Sequence, residues 1–152
     1  MSATTQVTTK DTDLAWAAGV FDGEGCVLLA KHTTGNRKTE SWLLRADVAN
    51  TDPKMLVKLR AIFGGTIVKK KLRDRYMPQW RWIVYGPNAA SVLTAMLPYL
   101  ITKKEQAEVA LLSRKFLRGK HEVNQEKLDN MRWAGQKLKD LKRNLPSLEE
   151  VE

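Results

Sequence analysis

Between Asp13 and Leu97 the apolar periodicity of this chain changes twice, each time from helical spacing to two short runs separated by a turn. Asp13 is a suitable N-cap for a short apolar helix over 14–21, and Asp22-Gly23-Glu24-Gly25 ends it with two glycines. The run 26–32 has strand length, 33–38 turns the chain, and 41–50 returns. Thr51-Asp52-Pro53 starts a second helix, on which Met55, Leu56, Leu59, Ile62 and Phe63 recur at helical spacing up to Gly64-Gly65. A second strand pair, 66–73 and 79–85, turns near Pro78, and Gly86-Pro87-Asn88 opens a third helix. Two more helices follow at about 103–117 and 124–143. This order predicts an α+β domain: a four-stranded antiparallel sheet with helices on one face, plus an α-helical tail. The other face of such a sheet stays open.

The length of 152 residues and the 43% hydrophobic content suit one domain, expected over 13–145. Residues 1–12 read as a loose polar arm and 146–152 as an acidic tail, with the closing Glu149-Glu150-Val151-Glu152 expected to be disordered. Cys26 is the only cysteine, which excludes a disulfide framework and a Cys-rich zinc site. With only His32 and His121, a histidine metal cage is excluded as well. No apolar run nears the ~20 residues of a membrane span. The opening MSATTQVTTKDTD lacks the order of a secretion signal, so a soluble, intracellular protein is expected.

The net charge of +9 points to a polyanionic partner, and its distribution sharpens the point. From Pro53 to Tyr85 there are nine basic residues (Lys54, Lys58, Arg60, Lys69, Lys70, Lys71, Arg73, Arg75, Arg81) against one acid, Asp74. Solvated faces mix both signs, so a one-sided stretch suits phosphates. Strand alternation puts Lys69, Lys71 and Arg73 on one face of the third strand and Gln79 with Arg81 on one face of the fourth. Arg45 and Asp47 share a face of the second strand, and His32 ends the first. Gathered on the open face, these residues would enter a major groove.

The chemistry concentrates where the first helix ends. Ala17-Ala18-Gly19-Val20-Phe21-Asp22-Gly23-Glu24-Gly25 puts two carboxylates beside glycines at the negative end of a helix dipole. Carboxylates and freed carbonyls are hard oxygen ligands suited to Mg²⁺. The same residues also suit a core helix with a glycine cap and two solvated acids. Ala15, Ala18 and Gly19 would allow close approach of a second helix.

The nonapeptide 17–25 resembles the LAGLIDADG motif, with Glu24 at its last acid, and it stands before the αββαββα order of those homing endonucleases. Two further segments resemble that family's active-site support. The second strand ends in Val48-Ala49-Asn50-Thr51-Asp52, and Leu97-Pro98-Tyr99-Leu100-Ile101-Thr102-Lys103-Lys104-Glu105-Gln106-Ala107 is similar to the P-[FY]-L…K…Q-A segment. The resemblance implies a LAGLIDADG-type domain acting as a site-specific endonuclease on a long pseudo-palindromic duplex. It implies Glu24 and the Gly23 carbonyl as Mg²⁺ ligands, with Mn²⁺ or Ca²⁺ as substitutes. Asn50 would order water, Lys103 (or Lys104) would be the catalytic lysine, and Lys54 a basic support. A single motif implies a homodimer through Ala15, Ala18, Gly19 and Asp22, and the expected product is a double-strand break with 3′ overhangs.

Two other functional classes stand beside this one. A non-cleaving relative would be a transcriptional regulator, or a maturase bound to its own intron RNA. An anionic-membrane protein would need a basic amphipathic helix with an aromatic apolar face, which the chain lacks. Trp16, Trp80, Trp82 and Trp133 read as core or interface, Cys26 as a small buried hydrophobe, and Lys137, Lys139, Lys142 and Arg143 as a solvated helical face.

Overall fold

The computed structural model describes residues 10–32, 41–70, 78–117 and 125–152. Helix α1 (Asp11–Glu24) leads into the hairpin β1 (Gly25–His32) and β2 (Ser41–Asn50). Helix α2 (Lys54–Phe63) leads into a second pair, β3 (Thr66–Lys70) and β4 (Gln79–Tyr85). Helix α3 (Gly86–Met96), a 3₁₀ turn (Leu97–Tyr99), α4 (Lys104–Leu117), α5 (Gln125–Arg143) and α6 (Leu148–Val151) complete the described chain. The sheet is antiparallel in the order β1-β2-β4-β3, so each hairpin contributes one inner and one edge strand.

Register decides what each face carries, because directly paired residues share a face. The row Val27, Ala46 and Val84, and the row Gly25, Val48, Trp82 and Ile67, lie on the helix side. Val27, Leu44, Ala46, Val48, Trp82 and Val84 are buried there against Phe21 of α1, Leu56 and Leu59 of α2, Leu93 and Met96 of α3, and Ala107 of α4. Trp82, fully buried, donates Nε1–H to the Gly64 carbonyl at 2.8 Å, so its polar atom has a partner. Gly65 has φ +95°, and a Cβ there would lie 2.8 Å from Trp82 Nε1. Only glycine allows that approach.

Helix α1 differs from the expectation at both ends. It begins at Asp11, with Lys10 at the N-cap, which places Asp11 and Asp13 in the first turn where acids favour the dipole. It runs through Asp22 and Gly23 and stops at Gly25, whose N–H donates to the Phe21 carbonyl. A Cβ at Gly25 would collide with the Phe21 ring and lie 2.6 Å from its carbonyl oxygen. Phe21 is fully buried and cannot yield, so the chain turns from helix to strand at this glycine.

The acidic tail, expected to end in disorder, contains α6. Ser147 Oγ accepts from Glu150 N–H at 3.4 Å and Glu150 Oε2 accepts from Ser147 N–H at 2.9 Å, a reciprocal cap. Of the expected loose arm, residues 1–9 lie outside the described residues, and Asp11 and Thr12 belong to α1. No helix among the described residues is long and apolar enough to cross a membrane.

Candidate active site and nucleic-acid interface

The end of α1 gathers charges from distant parts of the chain. Asp22 Oδ2 accepts from Ile101 N–H at 2.9 Å and Oδ1 from Lys103 N–H at 3.0 Å, which ties the turn before α4 to the motif helix. Lys103 Nζ donates to the Asp22 backbone oxygen at 2.7 Å. The last turn of α1 has no basic residue of its own, so Lys103 brings the cation that the helix C-terminus favours. Burial pulls the Lys103 ammonium below the ordinary lysine value of 10.5 and Lys142 adds to the effect, against the opposing pull of Asp22, Cys26 and Glu24. Glu24 is exposed at the helix end, and Lys104 faces solvent. Of the two lysines, Lys103 is therefore the one at the acidic corner.

Asp22 was expected at a dimer interface, but its carboxylate is engaged inside the chain by the two backbone donors. Ala18, expected in the same interface, is fully buried in the chain's own core. The exposed side of α1 is instead Ala15, Gly19 and Gly23, four residues apart, and a Cβ on either glycine would meet nothing within 4 Å. The helix period explains the correction: Ala17, Ala18 and Phe21 face inward, and the residues one turn apart on the opposite side carry almost no side chain.

Asn50 lies two residues past Val48, the partner of Gly25, so β2 brings it alongside the end of α1. Its Oδ1 accepts from Asp52 N–H at 2.8 Å, which leaves the amide NH₂ as its donor. Lys54 heads α2, donates its backbone N–H to Asp52 Oδ1 at 2.9 Å, and pairs its ammonium with Asp52 at 3.3 Å on a highly exposed surface. The Lys54 N–H holds the exposed Asp52 carboxyl below the usual range.

Sequence reasoning missed Lys142. Its Nζ donates to the Val27 carbonyl at 2.7 Å and lies 3.5 Å from Cys26 Sγ, so α5 covers an outward carbonyl of edge strand β1. Spacing could have revealed it, since Lys142 follows the buried Met131, Ala134 and Leu138 on the same helical stripe. Cys26 itself is only half-buried.

The open sheet face holds Arg45, Asp47, Gln79 and Arg81, as expected, and the His32 position belongs to it. Asp47 is not placed to touch a ligand. It is 6% exposed, with Oδ2 accepting from Arg45 Nε at 2.8 Å and Oδ1 facing Arg81 Nε at 3.9 Å. Lys69 is on the wrong side for the expected role. It pairs with Trp80 on the helix side, with Nζ 5.7 Å from the Trp80 ring, while Lys70 pairs with Gln79 on the open face. The phase of β3 is set by Ile67 packing beside Trp82, and the adjacent apolar pair Ile67-Val68 left that choice ambiguous. Lys71 and Arg73 lie outside the described residues.

Among the described residues no three His, Cys, Asp or Glu side chains converge as a metal cage. Glu24 and the carbonyls at the end of α1 form an all-oxygen donor set, which suits a hard cation that keeps several waters. One chain supplies one such carboxylate.

No family model matches the sequence, and no curated protein matches it by sequence. Solved structures do match. The homing endonuclease I-CvuI, in complex with its target in the presence of Ca, has a TM-score of 0.74 at 23% identity, covering 88% of this chain and 84% of that one. The homing endonuclease I-TnaI has a TM-score of 0.65 at 22% identity, covering 91% of this chain and 97% of that one. The meganuclease I-SmaMI, bound to uncleaveable DNA, has a TM-score of 0.68 at 18% identity, covering 81% of this chain and 43% of that one. The chain has the fold of the LAGLIDADG homing endonucleases.

Proposed function

We propose that this chain is a site-specific endonuclease of double-stranded DNA that works as a twofold dimer and hydrolyses phosphodiesters with a divalent cation. The observation that carries this reading is the Lys103 ammonium on the Asp22 carbonyl beside the exposed Glu24, below an open sheet face bearing arginines. The shared fold supports it, since the solved neighbours include homing endonucleases bound to DNA.

The exposed stripe Ala15, Gly19 and Gly23 would let a second copy of α1 approach closely, which brings the two Glu24 carboxylates together. Glu24 and the Gly23 carbonyl would hold Mg²⁺ between the copies. Mg²⁺ bound there would supply Lewis-acid polarisation of the scissile phosphate. Lys103, kept in place by the Asp22 carbonyl, sets a positive charge against the negative charge that develops on the phosphate. The Asn50 amide, with its oxygen committed to Asp52, presents N–H donors that order the attacking water. The Arg45 and Arg81 face, with Lys70 at its edge strand, binds the duplex.

The test is selection from a randomised duplex library incubated with the full chain and Mg²⁺. Double-strand cuts at a shared sequence support the endonuclease. Recovery of bound but intact duplexes alone contradicts cleavage and leaves a DNA-binding regulator.

A further inference from the structure

We infer that Asp47 is a positioning residue that aims the guanidinium groups of Arg45 and Arg81 at guanine in the major groove of the target duplex. The inference rests on the DNA reading above and adds the base that this part of the sheet selects.

The three residues meet through the sheet register. Arg45 precedes Asp47 by two positions on β2, and Asp47 pairs with Ile83, two positions beyond Arg81 on β4. The two arginines therefore approach one carboxylate from opposite ends of the same face. Arg45 Nε sits at 2.8 Å from Oδ2, and Arg81 Nε at 3.9 Å from Oδ1. The Asp47 side chain is 8% exposed, and those of Arg45 and Arg81 are 21% and 26% exposed. Both guanidinium groups thus lie down on the sheet instead of extending into solvent. Arg81 Nε is buried and makes no hydrogen bond to any described group, and the Asp47 carboxylate 3.9 Å away faces it with the opposite charge.

Stability alone is a weak reason for this arrangement. Burying a carboxylate and two guanidinium groups costs desolvation that a packed apolar trio would avoid. What the carboxylate supplies is direction. With Nε bonded to Asp47, the Arg45 guanidinium keeps its terminal N–H pair for an outside acceptor. Arg81, its Nε 3.9 Å from the same carboxylate, is drawn to it by charge without a hydrogen bond. Two N–H groups held in one plane match the adjacent N7 and O6 acceptors of guanine, a pattern that no other base presents in the major groove. Phosphate contacts carry no sequence information, whereas a donor pair held on the groove-facing side of the sheet can read a base edge.

The test is binding selection from a randomised duplex library with the full chain, followed by sequencing of bound duplexes. Wild type, Arg45→Ala, Arg81→Ala, Asp47→Asn and Asp47→Ala are compared, with thermal unfolding of each as a check on folding. The expected wild-type sites contain guanine at positions whose preference is lost in one or the other arginine variant. Asp47→Asn keeps shape and removes charge, so it should lose discrimination for guanine by about 10-fold or more. Its affinity for random duplex should hold or rise, because one negative charge is gone. A merely structural Asp47 would lower binding to all duplexes together and leave the base preference intact, and that result overturns the inference. Bound sites without guanine at any arginine-dependent position overturn it too, while the DNA reading stands. Failure of the wild type to enrich any duplex overturns both.

Discussion

Lys103 Nζ donates to the backbone oxygen of Asp22 at 2.7 Å, across 81 positions of sequence. The same aspartate accepts from the Lys103 backbone N–H with its side chain. One residue of α1 therefore fixes both the fold of the turn before α4 and the place of the ammonium, and this joins the motif helix to the catalytic lysine proposed here.

The half-buried ammonium has a measurable consequence for stability. A lysine whose folded pKa is lowered binds its proton less tightly when folded than when unfolded, so its protonation opposes folding. Stability should therefore rise with pH between that lowered value and the ordinary 10.5. Lys103→Met removes the linkage. Denaturant titrations of both proteins from neutral pH upward should show the wild type gaining on the variant as pH rises toward that value. Parallel curves would mean that the ammonium is not held as described.

Gly19→Leu separates the monomer from the proposed dimer. A side chain at Gly19 enters open space in the single chain, and replacing a helical glycine with leucine favours the helix by roughly 0.5–1 kcal/mol. The variant monomer should therefore melt no lower than wild type. In a dimer packed through α1, the added side chain would push the helices apart. Sedimentation of the wild type with DNA should show two copies, and the variant should fail to form that species. A variant that still dimerises places the interface elsewhere.

The phase of β3 makes a paired prediction about charge. Lys70→Ala should weaken duplex binding and reduce the slope of log affinity against log salt by about one unit if it meets a phosphate. Lys69→Ala, on the side facing Trp80, should change that slope far less. Equal slopes for both variants would contradict the face assignment.

Much of this was legible before the structure, for identifiable reasons. The element order followed from apolar spacing and from Gly and Pro punctuation. The four strands begin within one residue of where the short runs and turns put them, the third being described over 66–70 of the expected 66–73. The convergence of Lys103 on the end of α1 was legible only through resemblance, because no local pattern links residues 81 apart. The faces were harder. Ala18 looked like an interface residue by size alone, yet the helix period turns it into the core with Ala17 and Phe21. Two adjacent apolar residues, Ile67 and Val68, hid the phase of β3, and only packing beside Trp82 decides it. Asp47 looked like a ligand contact because it alternates with Arg45. Its burial beneath two arginines depends on the β2–β4 register, which no single strand encodes.

The most direct measurement of the central claim is cleavage of a selected target duplex by Glu24→Gln in the presence of Mg²⁺, with binding measured in its absence. Glutamine keeps the size of Glu24 and removes the charge that a divalent cation needs. Glu24 is exposed at the end of α1, so the fold should survive the change. Binding should persist or tighten, since two carboxylates near a twofold axis otherwise repel each other, and cleavage should fall by several orders of magnitude. Undiminished cleavage by Glu24→Gln would contradict the assignment of the metal-binding carboxylate and the mechanism built on it.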